Sequence, residues 1–191
     1  YIADDEELDA YVNGAKAYIS AQDGNRTTLT VGYSVPVASG VHGQVVSFCD
    51  GSDVTVSLFA DGSAESKYTV SVPGGTKDSS GQYTTTYDIP EVAPGTYTMQ
   101  VSKKNHVTRE YTITVGTDAL TQDVKIHLMG DINGDGRISI GDINQANLHA
   151  KGKKILLGYE LACADVNGDG KVTTSDVNKL NLHNKGKSLL W

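Results

Sequence analysis

The chain contains no run of the ~20 consecutive apolar residues that a bilayer-spanning helix requires, so no membrane span is expected. Cationic side chains are in deficit, 16 Lys and Arg against 23 Asp and Glu, for a formal charge of -7. An acidic surface repels phosphate backbones, which argues against a nucleic-acid partner. Cysteine is confined to Cys49 and Cys163, far apart in sequence. Two lone cysteines make no disulfide framework, and separate buried thiols are the expectation rather than a bridge. Trp191 is the only tryptophan. Sugar-binding platforms rely on exposed aromatics, so a carbohydrate-binding reading rests on ten tyrosines alone. No nucleophile elbow, zinc triad or phosphate loop is present. The carboxylates of the central region (Asp61, Glu65, Asp78, Asp88, Glu91, Glu110) fall mostly at turns. None pairs with another as the acids flanking a glycosidase cleft must. No enzyme activity is expected. No signal peptide opens the chain and Tyr1 is not an initiator Met, so the sequence reads as a mature or excised piece.

What is present divides into three stretches. In residues 3–20, Asp4 with Glu7 three residues on forms a capping-box pattern. Leu8, Tyr11, Val12, Ala15 and Ile19 then recur at helical spacing, predicting a short amphipathic helix. Asn25-Arg26-Thr27 is a glycosylation triplet of little weight. Leu29, Val31, Tyr33 and Val35 alternate as a strand that Pro36 stops. From Val41 to Leu128 almost every segment alternates apolar with polar residues, as in Val54-Val56-Leu58, Tyr97-Met99-Val101 and Val124-Ile126-Leu128. Gly and Pro turns separate these segments, so the stretch predicts an antiparallel β-sandwich of about seven strands. The segment Ala93-Pro94-Gly95-Thr96-Tyr97-Thr98-Met99-Gln100-Val101 resembles the small Ig-like sandwiches of the carboxypeptidase-regulatory and Cna-B type. Some members of that group carry an internal Lys–Asn isopeptide bond. The first strand here, Val41 to Phe48, has no Lys, so no such bond is expected. The expected organisation is multidomain. A helix and strand (1–39) lead into an all-β Ig-like sandwich (40–128), and a small all-α module (129–191) follows.

After Leu128 the alternation stops. Asp131-Ile132-Asn133-Gly134-Asp135-Gly136-Arg137-Ile138-Ser139-Ile140-Gly141-Asp142 is a twelve-residue loop. It recurs 34 residues later as Asp165-Val166-Asn167-Gly168-Asp169-Gly170-Lys171-Val172-Thr173-Thr174-Ser175-Asp176. Calcium is a hard cation that takes about six to eight oxygen ligands. Positions 1, 3 and 5 supply side-chain oxygens from Asp131, Asn133 and Asp135, then from Asp165, Asn167 and Asp169. Gly136 and Gly170 at position 6 permit the sharp turn. Arg137 and Lys171 offer only a backbone carbonyl, Ser139 and Thr173 act through water, and Asp142 and Asp176 close the sphere. Two calcium ions are therefore the expected cofactors. No helical pattern enters either loop, and a helix leaves each.

At about 100° per residue, Ile143, Ala146, Asn147 and Ala150 share one face of the first exit helix, the one that packs. Leu148 lies roughly 140° away on a stripe with Gly141, Asn144 and Gly152. In the second copy Val177 and Leu180 face inward, while Leu182 shares a stripe with Ser175, Asn178 and Gly186. Single surface leucines are common, but the same outward leucine in both copies asks for a partner. His149 and His183 also repeat, with solvent-facing or capping roles expected rather than zinc binding. The apolar terminus Leu189-Leu190-Trp191 is expected to fold back near Met129-Gly130.

A tandem Asp-x-Asn-Gly-Asp-Gly loop with an exit helix, Asp at position 12 and no entering helix resembles the dockerins. These are calcium-dependent plugs that attach secreted polysaccharide-degrading enzymes to cohesin modules of scaffoldins. A sandwich just before the module is similar to the X-module–dockerin pairs of cellulosomes. The resemblance implies a secreted or cell-surface-attached, non-catalytic adaptor, monomeric alone, whose partner is a cohesin. It also implies contacts at loop positions 10 and 11 and helix positions 17, 18 and 22. Here those are Ile140, Gly141, Asn147, Leu148 and Gly152, then Thr174, Ser175, Asn181, Leu182 and Gly186, with Lys151 and Lys185 flanking. Asn147 and Asn181 sit nearer the packed face. Asn-Leu-His-x-Lys-Gly-Lys occurs in both copies, so two binding orientations related by about half a turn are implied. Ile140-Gly141 differs from Thr174-Ser175, and one orientation is expected to be preferred. The other readings are a carbohydrate-binding sandwich carrying a dockerin and a calcium-stabilised stalk.

Overall fold

A computed structural model describes residues 39–191 and, before them, the backbone of residues 10–12, 15–19 and 31–32. Two units separate at residue 37, Tyr1–Val37 and Ala38–Trp191. In the first, β1 (Ala10–Val12), β2 (Ala15–Ile19) and β3 (Val31–Gly32) form a small antiparallel sheet. The expected helix over 3–20 is therefore corrected to strand wherever the chain is described. Val12 pairs with Ala15, and the residues between them in sequence are Asn-Gly, the dipeptide that most favours a two-residue hairpin. Tyr11, Val12, Tyr18 and Ile19 are strand formers, and together with the propensity of that dipeptide they outweigh the helical spacing. The rest of the expected helix, the Asn25 triplet and the outer parts of the Leu29–Val35 strand lie outside the described residues.

In the second unit, alternation builds two facing sheets. One has the order β10 (Arg109–Val115), β9 (Gly95–Lys103), β5 (Val54–Ala60), β6 (Ser66–Val72), all antiparallel. The other joins β11 (Leu120–Thr121), β4 (Ser39–Ser47), β8 (Tyr83–Val92) and β7 (Thr76–Lys77), with β12 (Val124–Lys125) also on β4. Val41 and Val45, Val54, Val56 and Leu58, Tyr87 and Ile89, and Tyr97, Met99 and Val101 point inward at every second position and form the core between the sheets. The β-sandwich is thus as the alternation requires. It is not wholly antiparallel, because β11 and β12 run parallel to β4. The chain leaves β10 in one sheet and crosses to the other, where it meets β4 running in the same direction. Val124 to Leu128 is shorter as a strand than its pattern suggests. Past Lys125 the chain keeps an Ile126 N–H bond to the Val46 carbonyl (2.9 Å) and an isolated bridge between Leu128 and His106.

The helical region contains α1 (Ile140–Ala150), α2 (Gly158–Ala164) and α3 (Thr174–Asn184). Its own core gathers Ile132, Ile138, Ile143, Ala146, Leu156, Cys163, Ala164, Val166, Val172, Val177 and Leu180. Here α2 corrects the expectation that neither loop has an entering helix. Seven residues, too few to be legible by period, are held helical by burying Cys163 and Ala164. Cys49 and Cys163 are unbridged, but Cys49 is exposed rather than buried, in a left-handed turn (φ 73°) after β4. Burial pushes the Cys163 thiol up to about 12.

Directional bonds tie the sandwich to the helical region. At the sandwich's end Val107 N–H donates to the His127 carbonyl (3.0 Å), and across the joint Met129 N–H donates to the Asn105 carbonyl (3.0 Å). Tyr159 of α2 donates its hydroxyl to the Val107 carbonyl at 2.6 Å and accepts the His127 N–H at 3.0 Å. The Arg109 guanidinium lies 4.7 Å from the Tyr159 ring. At the same joint, buried His106 accepts the Phe48 N–H on Nε2 (3.0 Å) and donates Nδ1–H to the Lys104 carbonyl (2.7 Å), which requires the neutral ring. Burial pushes its pKa down to about 4, against the Lys104 carbonyl and with the Lys103 ammonium. Unfolding returns it to 6.5, so the unfolded chain holds the extra proton between those values. The neutral ring's stabilisation is complete above pH 6.5 and is lost as pH falls towards 4. Denaturant titrations should show the stability of wild type relative to His106→Gln falling by on the order of 3 kcal/mol across that window. A difference independent of pH would contradict this assignment.

Candidate functional site

Each acidic loop folds around its first aspartate. Asp131 Oδ1 accepts the N–H groups of Gly134 (2.8 Å) and Asp135 (3.1 Å), and Oδ2 accepts that of Gly136 (2.8 Å). Asp165 repeats the pattern with Gly168 (2.9 Å), Asp169 (3.3 Å) and Gly170 (2.8 Å). Asn133 and Asn167 accept the N–H two residues on, each at 2.9 Å, and Asp135 and Asp169 accept those of Arg137 (3.0 Å) and Lys171 (2.9 Å). The twelfth residue closes the turn. Asp142 Oδ1 accepts from Ile132 N–H (2.9 Å) and Asn133 N–H (3.1 Å), and Asp176 Oδ1 from Asn167 N–H (3.3 Å).

Ser139 and Thr173 carry a role that the ligand pattern alone did not suggest. Each is the N-cap of its exit helix, in a capping box whose N3 member is Asp142 or Asp176. The Ser139 N–H and hydroxyl donate to Asp142 Oδ2 at 2.9 and 3.0 Å. Position 12 is therefore both the last oxygen of the loop and the start of the helix. The Ser-x-x-Asp and Thr-x-x-Asp spacings were the available signal.

Asp131, Asp142 and Asp176 are 0% exposed. Every hydrogen bond they accept among the described residues comes from a backbone N–H or a hydroxyl, none from a cationic side chain. Burial raises the Asp131 carboxyl to about 6, with Asp142 and Asp135 adding to the rise and the Gly136 and Asp135 N–H groups opposing it. Buried carboxylate without a counter-charge is costly, and a cation bound in the loop would supply that charge. Among the described residues no group of three or more His, Cys, Asp or Glu is gathered as a metal site. The loops offer carboxylate, amide and main-chain carbonyl oxygens instead, a donor set that fits calcium and not zinc.

Beyond the loops, α1 and α3 pack on each other through the faces holding Ile143, Ala146, Val177 and Leu180. Ile140 (61%), Leu148 (38%) and Leu182 (41%) remain exposed. Gly141, Asn144, Lys151 and Gly152 are exposed beside Leu148, as are Thr174, Ser175, Asn178, Lys185 and Gly186 beside Leu182. Asn147 and Asn181 are half-buried, and Asn181 donates its amide to the Val177 carbonyl (2.9 Å). His149 Nδ1 accepts the Leu156 N–H (2.9 Å) and His183 Nδ1 the Leu190 N–H (3.1 Å), so both histidines latch the chain that follows their helix. The His-x6-Leu spacing repeats in the sequence and marks this latch. Leu190 packs on the helical core, its Cδ1 3.2 Å from where a Gly130 β-carbon would stand, and Trp191 lies over His183 at 4.8 Å.

The sequence profile of the dockerin type I domain matches residues 129–183. That segment is a type I dockerin. No curated protein matches the chain. Among solved structures the chain is similar to two cohesin–X-dockerin complexes of type II from Acetivibrio cellulolyticus. One is an N-terminal interface mutant, with 22% identity, 76% of this chain and 94% of that chain covered, and a TM-score of 0.34. The other is a C-terminal interface mutant, with 21% identity, the same coverage and a TM-score of 0.34. Just past the dockerin match, Leu190 and its latch hold the exit of the helical region against its entry. Deleting residues 189–191 should lower the thermal midpoint of the helical region by on the order of 5 °C. An unchanged midpoint in helix-detected melting would contradict that packing.

Proposed function

We propose that the chain is a non-catalytic adaptor whose dockerin binds a cohesin module in a calcium-dependent way, assembling a secreted polysaccharide-degrading complex. The observation that carries this reading is the leucine exposed at the same position of both exit helices, Leu148 and Leu182, above a duplicated acidic loop. Two equivalent apolar spots on a rigid helix pair are the anchors that a protein partner buries. Ile140, Gly141, Asn144, Asn147, Lys151 and Gly152 frame the first spot; Thr174, Ser175, Asn178, Asn181, Lys185 and Gly186 frame the second.

In this reading Asp131, Asn133, Asp135, Asp142 and the Arg137 carbonyl hold one calcium ion. Asp165, Asn167, Asp169, Asp176 and the Lys171 carbonyl hold the other. The ion supplies the positive charge that the loops lack. Asp142 and Asp176 then pass the order of each loop into its helix through the capping boxes, which sets the leucines in place. The sandwich, within 40–128, is an Ig-like X-module that supports the dockerin at 129–191. Among residues 39–191 the aromatics lend the carbohydrate-binding alternative no exposed tyrosine platform. There Tyr87 and Tyr97 are buried, the other tyrosines are partly buried, and Trp191 belongs to the helical region.

Calorimetry of the full chain against a cohesin panel, with and without EDTA, tests the proposal. Binding is expected only with calcium, and EDTA should also collapse the native NMR dispersion of the helical region. Leu148→Glu with Leu182→Glu should weaken capture at least ~100-fold, about 2.7 kcal/mol. The two single variants should differ from each other, because Ile140-Gly141 and Thr174-Ser175 frame them differently. Capture that survives both charges, or chelation, would end this reading.

A further inference from the structure

The two loops share one pattern but not one environment, and the difference is an internal control. In the second loop a β-carbon at Gly168 or Gly170 would meet nothing within 4 Å. In the first, a β-carbon at Gly134 would lie 2.5 Å from His127 Cε1, and one at Gly136 would lie 2.6 Å from Phe48 Cε1. The outer side of the first loop is thus a wall of two rings presented by the sandwich. Asp131 behind that wall is 0% exposed, whereas Asp165 is partly exposed. Phe48 is itself fixed: it is 2% exposed, its N–H is bonded to His106, and the Lys125 ammonium lies 5.4 Å from its ring.

A calcium loop without its ion is an open ensemble, and binding must order it. A wall against the turn removes the open conformers beforehand and keeps water from the first aspartate. The second loop has no such support. We propose that Phe48 and His127 are positioning residues that pre-form the first loop, so that it binds calcium more tightly, and releases it more slowly, than the second. By linkage, the ion in the first loop strengthens the hold of the sandwich on the helices, and the ion in the second does not. This inference rests on the calcium reading above.

Calcium titration calorimetry and terbium luminescence on the full chain separate the two. Asp165→Ala leaves the first site to be measured and Asp131→Ala leaves the second. Phe48→Ala is expected to weaken the first site by about tenfold, 1.4 kcal/mol, and to leave the second within about twofold. Phe48→Leu, which keeps an apolar wall, should restore most of the loss, and His127→Ala should reproduce it through Gly134. In the wild type with calcium, amides 134–137 should exchange at least ~10-fold more slowly than 168–171. Equal effects of Phe48→Ala on both sites, or no effect on either, overturn the inference and leave the calcium reading standing. If Phe48→Ala fails to fold, equal exchange at the two loops overturns it instead. No binding in either single-site variant overturns the calcium reading and this inference with it.

Discussion

Buried carboxylate without a cationic side chain is the constraint on which the helical region turns. Three such groups, Asp131, Asp142 and Asp176, sit where the chain enters or leaves its loops. Backbone N–H groups turn towards each of them, which folds the loop and starts the helix in a single arrangement. The hydrophobic core of this region is small, and α1, α2 and α3 span only 11, 7 and 11 residues. Helices this short are marginal alone and depend on caps and packing. A local charge imbalance therefore reaches outwards as far as the exposed leucines.

The sandwich contributes in a different way. Its core is filled by strictly alternating residues, and it meets the helical region through the Met129–Asn105 main-chain bond and through the Tyr159 hydroxyl on Val107 and His127. Those bonds are directional and cannot slide, so the joint is a fixed one within the unit from Ala38 onward. Buried His106 adds to that fixity by bonding Phe48 to Lys104.

Much of this could be read from sequence, for identifiable reasons. Period-two alternation in Val54–Leu58 and Tyr97–Val101 has one solution when one face is buried. The Asp-x-Asn-x-Asp-Gly spacing carries its geometry with it. What escaped was decided by neighbours rather than by period. Residues 10–12 and 15–19 carry a helical spacing, yet their β-formers and the Asn-Gly dipeptide between them in sequence favour the antiparallel strand pair that they form. The seven residues of α2 are too few to show a period. That β12 lies parallel to β4 depends on where a crossover lands, which no local pattern states. Cys49 was expected inside because small thiols usually are, but the turn after β4 puts it outside. The unequal surroundings of the two loops were invisible, because identical motifs report nothing about what packs behind them.

The meeting of Leu190 with Gly130 has one further consequence. It brings the start and finish of the helical module side by side, so the module is close to a closed circle of chain. A protein of that shape tolerates new ends. In the helical module taken alone, linking residue 190 to residue 130 and opening the chain between Leu157 and Gly158 would put the second copy before the first in the gene. The packed order of helices in space would be the same.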